Sequence, residues 1–239
     1  MIDAIVTMCE GEEWRHAADV LVASVRKHWK GDHKRRCPNI YVYSDQPVPG
    51  QRHVGDLRRI MPKIETNCQR AIHKLAIWTL EELGDTILYL DADQFAIGDL
   101  SWLHDVEPFS APLDGGAAEP QEIEGLPCIN AGCMVLHPDK ATYSAMCTMA
   151  MLEPPPGNWK HSDQDIITTY HNRNQLVKSF IPPHRYMSPR SIYRPPMWEI
   201  NYPITSLIHF MGEHKPWKPC PDQKFAEIWK RWADVEASL

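Results

Sequence analysis

Residues 3–8 (D-A-I-V-T-M) form a short apolar run rich in β-branched residues, the pattern of a buried strand. The period then changes. Trp14, Ala17, Ala18, Leu21, Val22, Val25 and Trp29 recur at i, i+3, i+4, i+7 spacing, which predicts an amphipathic helix over residues 14–28. Residues 39–44 (N-I-Y-V-Y-S) repeat the strand pattern and end in turn-forming residues at 45–50 (D-Q-P-V-P-G). Strand, helix, strand is the unit of a parallel sheet covered by helices. A second helix is expected over 71–83, with Ile72, Leu75, Ala76, Thr79, Leu80 and Leu83 facing a core and Gly84 ending it. Residues 86–90 (T-I-L-Y-L) are apolar on both faces, as a central strand is. Further on, the pattern predicts a strand within 128–137, helices near 139–151 and 163–170, a strand at 207–210 and a last helix over 223–237. That helix puts Phe225, Ile228, Trp229, Trp232 and Val235 on one side, a stripe that core packing explains better than membrane docking. The expected fold class is α/β. A mostly parallel central sheet is flanked by helices, with a loop-rich C-terminal third, in one domain spanning 1–239.

Composition excludes more than it identifies. The chain has 239 residues, 43% of them hydrophobic, enough to build a core. Its 25 Lys+Arg against 31 Asp+Glu give a net charge of −6 with no basic block, so nucleic acid is not an expected partner. No apolar run reaches the ~18 residues of a membrane span. The first apolar stretch, 4–9, lies between Asp3 and Glu10 and lacks the basic start of a signal peptide. Seven cysteines, with no C-x-x-C and one C-x4-C at Cys128 and Cys133, point to reduced thiols and a cytoplasmic setting. The 21 prolines gather after residue 153 and predict irregular segments there.

Four constellations could carry chemistry. Asp91-Ala92-Asp93 sits just past an apolar strand, where α/β sheets bind ligands. In extended geometry, side chains at i and i+2 point the same way, so both carboxylates can converge on Mg²⁺ or Mn²⁺. An isolated D-x-D is also what a solvated turn looks like. Asn130-Ala131-Gly132 interrupts a buried strand, which marks either a bulge or a ligand's close approach. Ser162, Asp163 and Asp165 fit the start of a helix, where a cap and acidic groups are favoured, but Gln164 is left without a role. Finally, I-H-F-M-G-E-H-K-P-W (208–217) places His209, Gly212 and Lys215 after a strand. They offer a ring nitrogen to a metal, room for backbone approach and a positive charge for a leaving diphosphate.

In this order, Asp91-Ala92-Asp93, Asn130-Ala131-Gly132, Asp163-Gln164 and His209-Phe-x-Gly212-x-x-Lys215-Pro-Trp217 resemble the motifs of family 8 glycosyltransferases. That family includes glycogenins, galactinol synthases and bacterial lipopolysaccharide galactosyltransferases, and the resemblance runs from the first strand to about residue 219. It implies a GT-A fold, a nucleotide-sugar donor, usually UDP-linked, and a Mn²⁺ (or Mg²⁺) ion. It also implies transfer of a hexose, as from UDP-glucose or UDP-galactose, with retained anomeric configuration. By the same resemblance Asp91, Asp93 and His209 ligate the metal, and Lys215 and the Gly212 backbone hold the phosphates. Ala92 belongs to the same donor-binding motif. Asn130, Ala131 and Gly132 line the sugar pocket, with Asp163 and Gln164 beside the anomeric carbon. Lys74 matches a donor-contacting lysine in a K-L-x-x-W segment, with Trp78 expected on the same helix face, off the core stripe. Thr7 and Trp14 fall where relatives contact the nucleoside, Trp14 in place of a tyrosine.

The chain also departs from the pattern. Residues 8–13 (M-C-E-G-E-E) lack the Thr-Asn of glycogenins, and Glu119 stands near where relatives have an aspartate touching the sugar. Residues 160–162 (K-H-S) replace Asp-Gly-Gly, and 191–193 (S-I-Y) only loosely echo the glycogenin loop that carries the self-glucosylated tyrosine. Self-glucosylation is therefore not expected. On this reading 1–100 form a nucleotide-binding half, 101–219 a sugar and acceptor half, and 220–239 a C-terminal helix. The acceptor (carbohydrate, glycolipid or protein) and a homodimeric state stay open. A nucleotidyltransferase, or a nucleotide-sugar-binding protein without turnover, are the competing readings.

Overall fold

Strand β1 (Ala4–Cys9) is buried at every position except Met8, so both of its faces need cover. The computed structural model describes residues 1–32, 35–46, 73–114, 122–152, 163–187 and 201–239. Alternation along β1 sends Ile5 into a cluster with Ala18, Leu21 and Val25 of helix α1 (Glu12–His28). Ala4 and Val6 enter the opposite cluster with Leu75, Trp78, Met146 and Ile167. Acidic Glu12 and Glu13 begin α1 and basic Arg26, Lys27 and His28 end it, as the helix dipole favours.

The chain continues through β2 (Asn39–Ser44), two 3-10 helices (His73–Thr79 and Glu81–Leu83), β3 (Ile87–Leu90), β4 (Gln94–Ala96) and a third 3-10 helix (Ser101–Asp105). Next come β5 (Ser110–Pro112), the hairpin of β6 (Glu122–Ile123) and β7 (Leu126–Pro127), β8 (Cys133–Leu136), helix α2 (Lys140–Leu152) and helix α3 (Asp163–Arg173). Strands β9 (Ser179–Ile181), β10 (Tyr186–Met187) and β11 (Leu207–His209) precede the last helix, α4 (Ala226–Glu236). Ile228, Trp229, Trp232 and Val235 of α4 are buried against α1 and the second sheet, so the stripe is core. No helix of the described residues is long and apolar enough to cross a membrane. The described cysteines are all free thiols.

Two expectations need correction. The main sheet has the order β2-β1-β3-β8-β5-β9 and is mixed. Parallel pairing holds for β2-β1-β3, but β8 runs antiparallel to both β3 and β5. An apolar run buried on both faces looks the same whichever way the strand points, so direction was not encoded in the pattern. The second helix, expected over 71–83, is two 3-10 turns where it is described. Leu75, Ala76, Ile77 and Trp78 are buried in succession, which leaves no polar face for an amphipathic α-helix to present. Trp78 consequently lies in the core, against Phe109 and His171, and not off the core stripe beside Lys74.

A second sheet, β10-β11-β4, branches from the first directly after β3. Its antiparallel β11–β4 ladder sets His209 opposite Gln94, the residue that follows Asp93. Residues 47–72, 115–121, 153–162 and 188–200 lie outside the described residues, and with them most of the 45–50 turn, Glu119, Ser162 and the 191–193 stretch.

Candidate metal and donor site

Asp91-Ala92-Asp93 is the junction between the two sheets. The Asp91 amide donates to Gly132 O of the first sheet at 2.8 Å, and Asp93 O accepts from the Phe210 amide beside the second at 3.0 Å. Pinned at both ends, the two carboxylates face the imidazole carried by β11. His209 Nε2 is 3.1 Å from Asp93 Oδ1 and 3.7 Å from Asp91 Oδ2, and a ligand atom from each of the three lies within 4.8 Å of the others. Donors on an octahedral cation with bonds of ~2.1 Å stand about 3 Å apart, so the spacing suits a divalent ion. Two oxygens and one imidazole nitrogen form a donor set that Mn²⁺ accepts. The close approach explains Gly132. A Cβ there would meet His209 Cε1 at 2.4 Å and Asn130 Oδ1 at 2.9 Å, so only glycine lets the ring lie against this backbone.

Two lysines neutralise the acids. Lys215 pairs with Asp93 Oδ2 and donates to Phe210 O at 2.8 Å. Burial alone would raise the Asp93 carboxyl, but His209 and Lys215 overcome it and hold the group well below the usual carboxylate range. Lys74 bridges Asp163 Oδ2 (2.7 Å) and Asp91 Oδ1 (3.0 Å). Burial opposes its charge, yet the Asp163 and Asp91 carboxylates outweigh that and push its pKa above the ordinary lysine value. The Tyr89 phenol, raised by burial and then by Asp91, donates to Asp91 Oδ1 at 2.6 Å.

A polar wall adjoins this cluster. Gln164 accepts from the Ala131 amide at 3.2 Å and donates to Asp114 Oδ2 at 3.0 Å, while Asn130 Nδ2 donates to Asp114 Oδ1 at 3.3 Å. Gln164, which helix capping left without a role, is thus the strut between the Asn-Ala-Gly turn that leads into β8 and Asp114. Asp114 was missed in the sequence, although it follows an apolar strand as Asp91 does. Tyr186 was missed too, and its hydroxyl reaches both Asn130 and His209.

The remaining candidates are less central. Trp14 lies on the rim, 36% exposed, edge-on to Trp217 at 5.2 Å, with Lys215 Nζ 5.1 Å from its ring centroid. Gly212 takes φ 76, the left-handed turn that returns the chain to Lys215. Ala92 is buried between the two aspartates. Thr7 is fully buried in β1, its hydroxyl without a hydrogen-bond partner among the described residues.

No protein-family model matches the chain. Human glycogenin-1 is 27% identical over 158 residues, 65% of this chain and 42% of that protein. Glycogenin-1 of Saccharomyces cerevisiae is 26% identical over 182 residues, 69% of this chain and 28% of that protein. The aligned region therefore spans less than half the length of these relatives. Among solved structures, the bifunctional glycosyltransferase WbbM superposes with a TM-score of 0.70 at 15% identity, over 99% of this chain and 50% of that one. The galactosyltransferase LgtC, in complex with donor and acceptor sugar analogs, gives 0.64 at 16%, covering 99% and 96%. GlyE of Streptococcus pneumoniae TIGR4 gives 0.66 at 17%, covering 100% and 63%. The chain is related to the glycogenins and carries the GT-A fold that it shares with WbbM, LgtC and GlyE.

Proposed function

We propose that the chain is a metal-dependent, retaining hexosyltransferase using a UDP-linked sugar, with the whole of 1–239 acting as one transfer unit. The observation that carries this reading is the convergence of Asp91, Asp93 and His209 from two sheets, beside a hydrogen-bonded wall of Asn130, Ala131, Asp114 and Gln164. Asp91, Asp93 and His209 would hold Mn²⁺, which when bound neutralises charge on the leaving diphosphate. Lys215 adds a positive charge to the same face, and a well-placed donor of this kind contributes about 3 kcal/mol to transition-state stabilisation. Asn130, Ala131 and Asp114 hold the sugar hydroxyls, and Trp14 at the rim offers a ring to the base.

Retention needs a nucleophile on the far face of the sugar or same-face attack guided by the departing phosphate. Both ends of the Gln164 amide are engaged, and the Asp163 carboxylate is bound to Lys74. Neither is a free nucleophile, which favours same-face attack, with the two groups fixing the sugar as positive charge develops on it.

The test is donor hydrolysis and transfer across UDP-glucose, UDP-galactose and GDP-sugars, with Mn²⁺ or with a chelator. Mn²⁺-stimulated UDP release that Asp93→Ala abolishes, with an α-linked product from an α-linked donor, supports the reading. Metal-independent turnover, or calorimetric UDP-sugar binding with no hydrolysis or transfer, replaces it.

A further inference from the structure

Lys215 opens a turn that two helices hold in place. The Lys218 amide donates to Lys215 O at 3.0 Å, with Pro216 and Trp217 at the corners between them. Proline presets the backbone angle that the first corner of such a turn needs. Pro216 is buried and Trp217 half-buried, although Gly212, Glu213 and Lys218 around them are exposed. The Trp217 ring stands edge-on to Trp14 of α1, with centroids 5.2 Å apart, and lies 6.2 Å from the Trp232 ring of α4. Its Nε1 donates to Glu13 Oε2 at 3.3 Å, and Trp229 Nε1 of α4 donates to Lys218 O at 2.9 Å. Residues 210–222 belong to no strand or helix, so these contacts fix the segment in place of a backbone ladder. Lys215, at the start of the turn, is the residue that reaches Asp93 and Phe210 O.

We propose that Trp217 is a positioning residue for Lys215: packed on Trp14 and Trp232 and tied to Glu13, it fixes the turn from which the ammonium reaches the donor's diphosphate. The inference rests on the reading of Lys215 as a diphosphate contact, and it adds how that charge is aimed. A lysine ammonium is a point charge on a flexible four-carbon stem, so its place is only as definite as the backbone beneath it. The clasp also gives the aromatic side of α4 a task beyond core packing, since Trp229 and Trp232 both touch this turn. A hydrogen bond to a charged group corresponds to about 10- to 100-fold in affinity, which bounds what Trp217 can contribute through Lys215.

The experiment has two arms. In the first, amide hydrogen exchange at Lys218 is followed by NMR in wild type and Trp217→Leu. Protection in wild type that the variant loses is expected. Wild-type exchange at the rate of an unstructured peptide, or equal protection in both proteins, overturns the proposal. In the second arm, UDP is titrated calorimetrically in the presence of Mn²⁺ into wild type, Trp217→Leu, Lys215→Met and the double variant. Circular dichroism and thermal unfolding check that each is folded. Each single substitution should weaken UDP binding by about 10-fold or more. The double variant should match Lys215→Met within about twofold, because Trp217 then has nothing left to aim. Losses that multiply in the double variant show that Trp217 acts apart from Lys215 and overturn the proposal. A folded Trp217→Leu protein with wild-type affinity does the same. If Trp217→Leu does not fold, the wild-type exchange decides alone. Failure of wild type to bind UDP would reject the donor reading instead, and the exchange arm would still decide whether Trp217 holds the turn.

Discussion

Replacing Gly132 by alanine puts a methyl carbon 2.4 Å from Cε1 and 2.8 Å from Nδ1 of His209, and 2.9 Å from Asn130 Oδ1. Ordinary contact begins near 3.4 Å, so the ring has to retreat by about 1 Å. His209 has little freedom to do so. It is 5% exposed, its backbone is laddered to Gln94, and its Nδ1 is held by Tyr186. Overpacking of this kind costs about 1–3 kcal/mol of stability. A 1 Å displacement of Nε2, now 3.1 Å from Asp93 Oδ1, also spoils the donor spacing, and affinity for Mn²⁺ should fall by at least the ~10-fold seen when a ligand's support is lost. Thermal unfolding and Mn²⁺ calorimetry on Gly132→Ala measure the two effects separately. An alanine protein that melts with wild type and binds Mn²⁺ equally well would refute the claim that this glycine exists to admit the imidazole.

Other expectations follow from groups at and away from the cluster. His171, 2% exposed and stacked on Phe109 at 3.7 Å, is held neutral by burial against a smaller opposing bond to Ile167 O, and its pKa is lowered to about 4. The unfolded chain takes up that proton near pH 6.5 and the folded one does not, so stability is full above ~6.5 and falls by about 3 kcal/mol as the pH drops toward 4. His171→Phe should flatten that slope in denaturant titrations, and an unchanged slope would count against it. Asp114→Asn keeps the shape but turns a donor toward the Asn130 or Gln164 amide. Turnover should drop while Mn²⁺ affinity stays near wild type; equal loss of both would place Asp114 in the metal cluster instead. Trp14→Ala should weaken UDP binding by about 1–3 kcal/mol, the usual range for base stacking, without moving the melting temperature, and an unchanged Kd would remove Trp14 from the site.

The sequence made the strand ends legible because the chemistry sits where apolar runs stop. Asp91 follows β3, Asp93 precedes β4, Asn130 stands just ahead of β8 and His209 ends β11, and breaks in the apolar pattern mark such places directly. What it could not reveal depends on pairing between distant segments. The direction of β8 is invisible when both faces are apolar, and the partnership of β4 with β11 depends on three-residue strands too short to carry a pattern. Tyr186 and Asp114 were missed for the same reason. Each is an ordinary polar residue in its own segment and acquires meaning only when Asn130 arrives from another. Lys74 was found but its setting was misread. Its neighbours are buried all round, so the turn tightens, Trp78 enters the core, and the ammonium is left bridging Asp91 and Asp163.

The two aspartates answer to different neighbours, one fastened through Gly132 and the other through Phe210, so the dipeptide step between them works as a rivet line joining two plates. Anything that grips both acids must resist the plates sliding apart. Saturating such a grip adds stability that grows with the logarithm of ligand concentration, about 2.7 kcal/mol at a hundredfold excess over Kd. Slower amide exchange on occupancy should therefore reach Ile208 and Tyr89 together, well beyond the atoms being held.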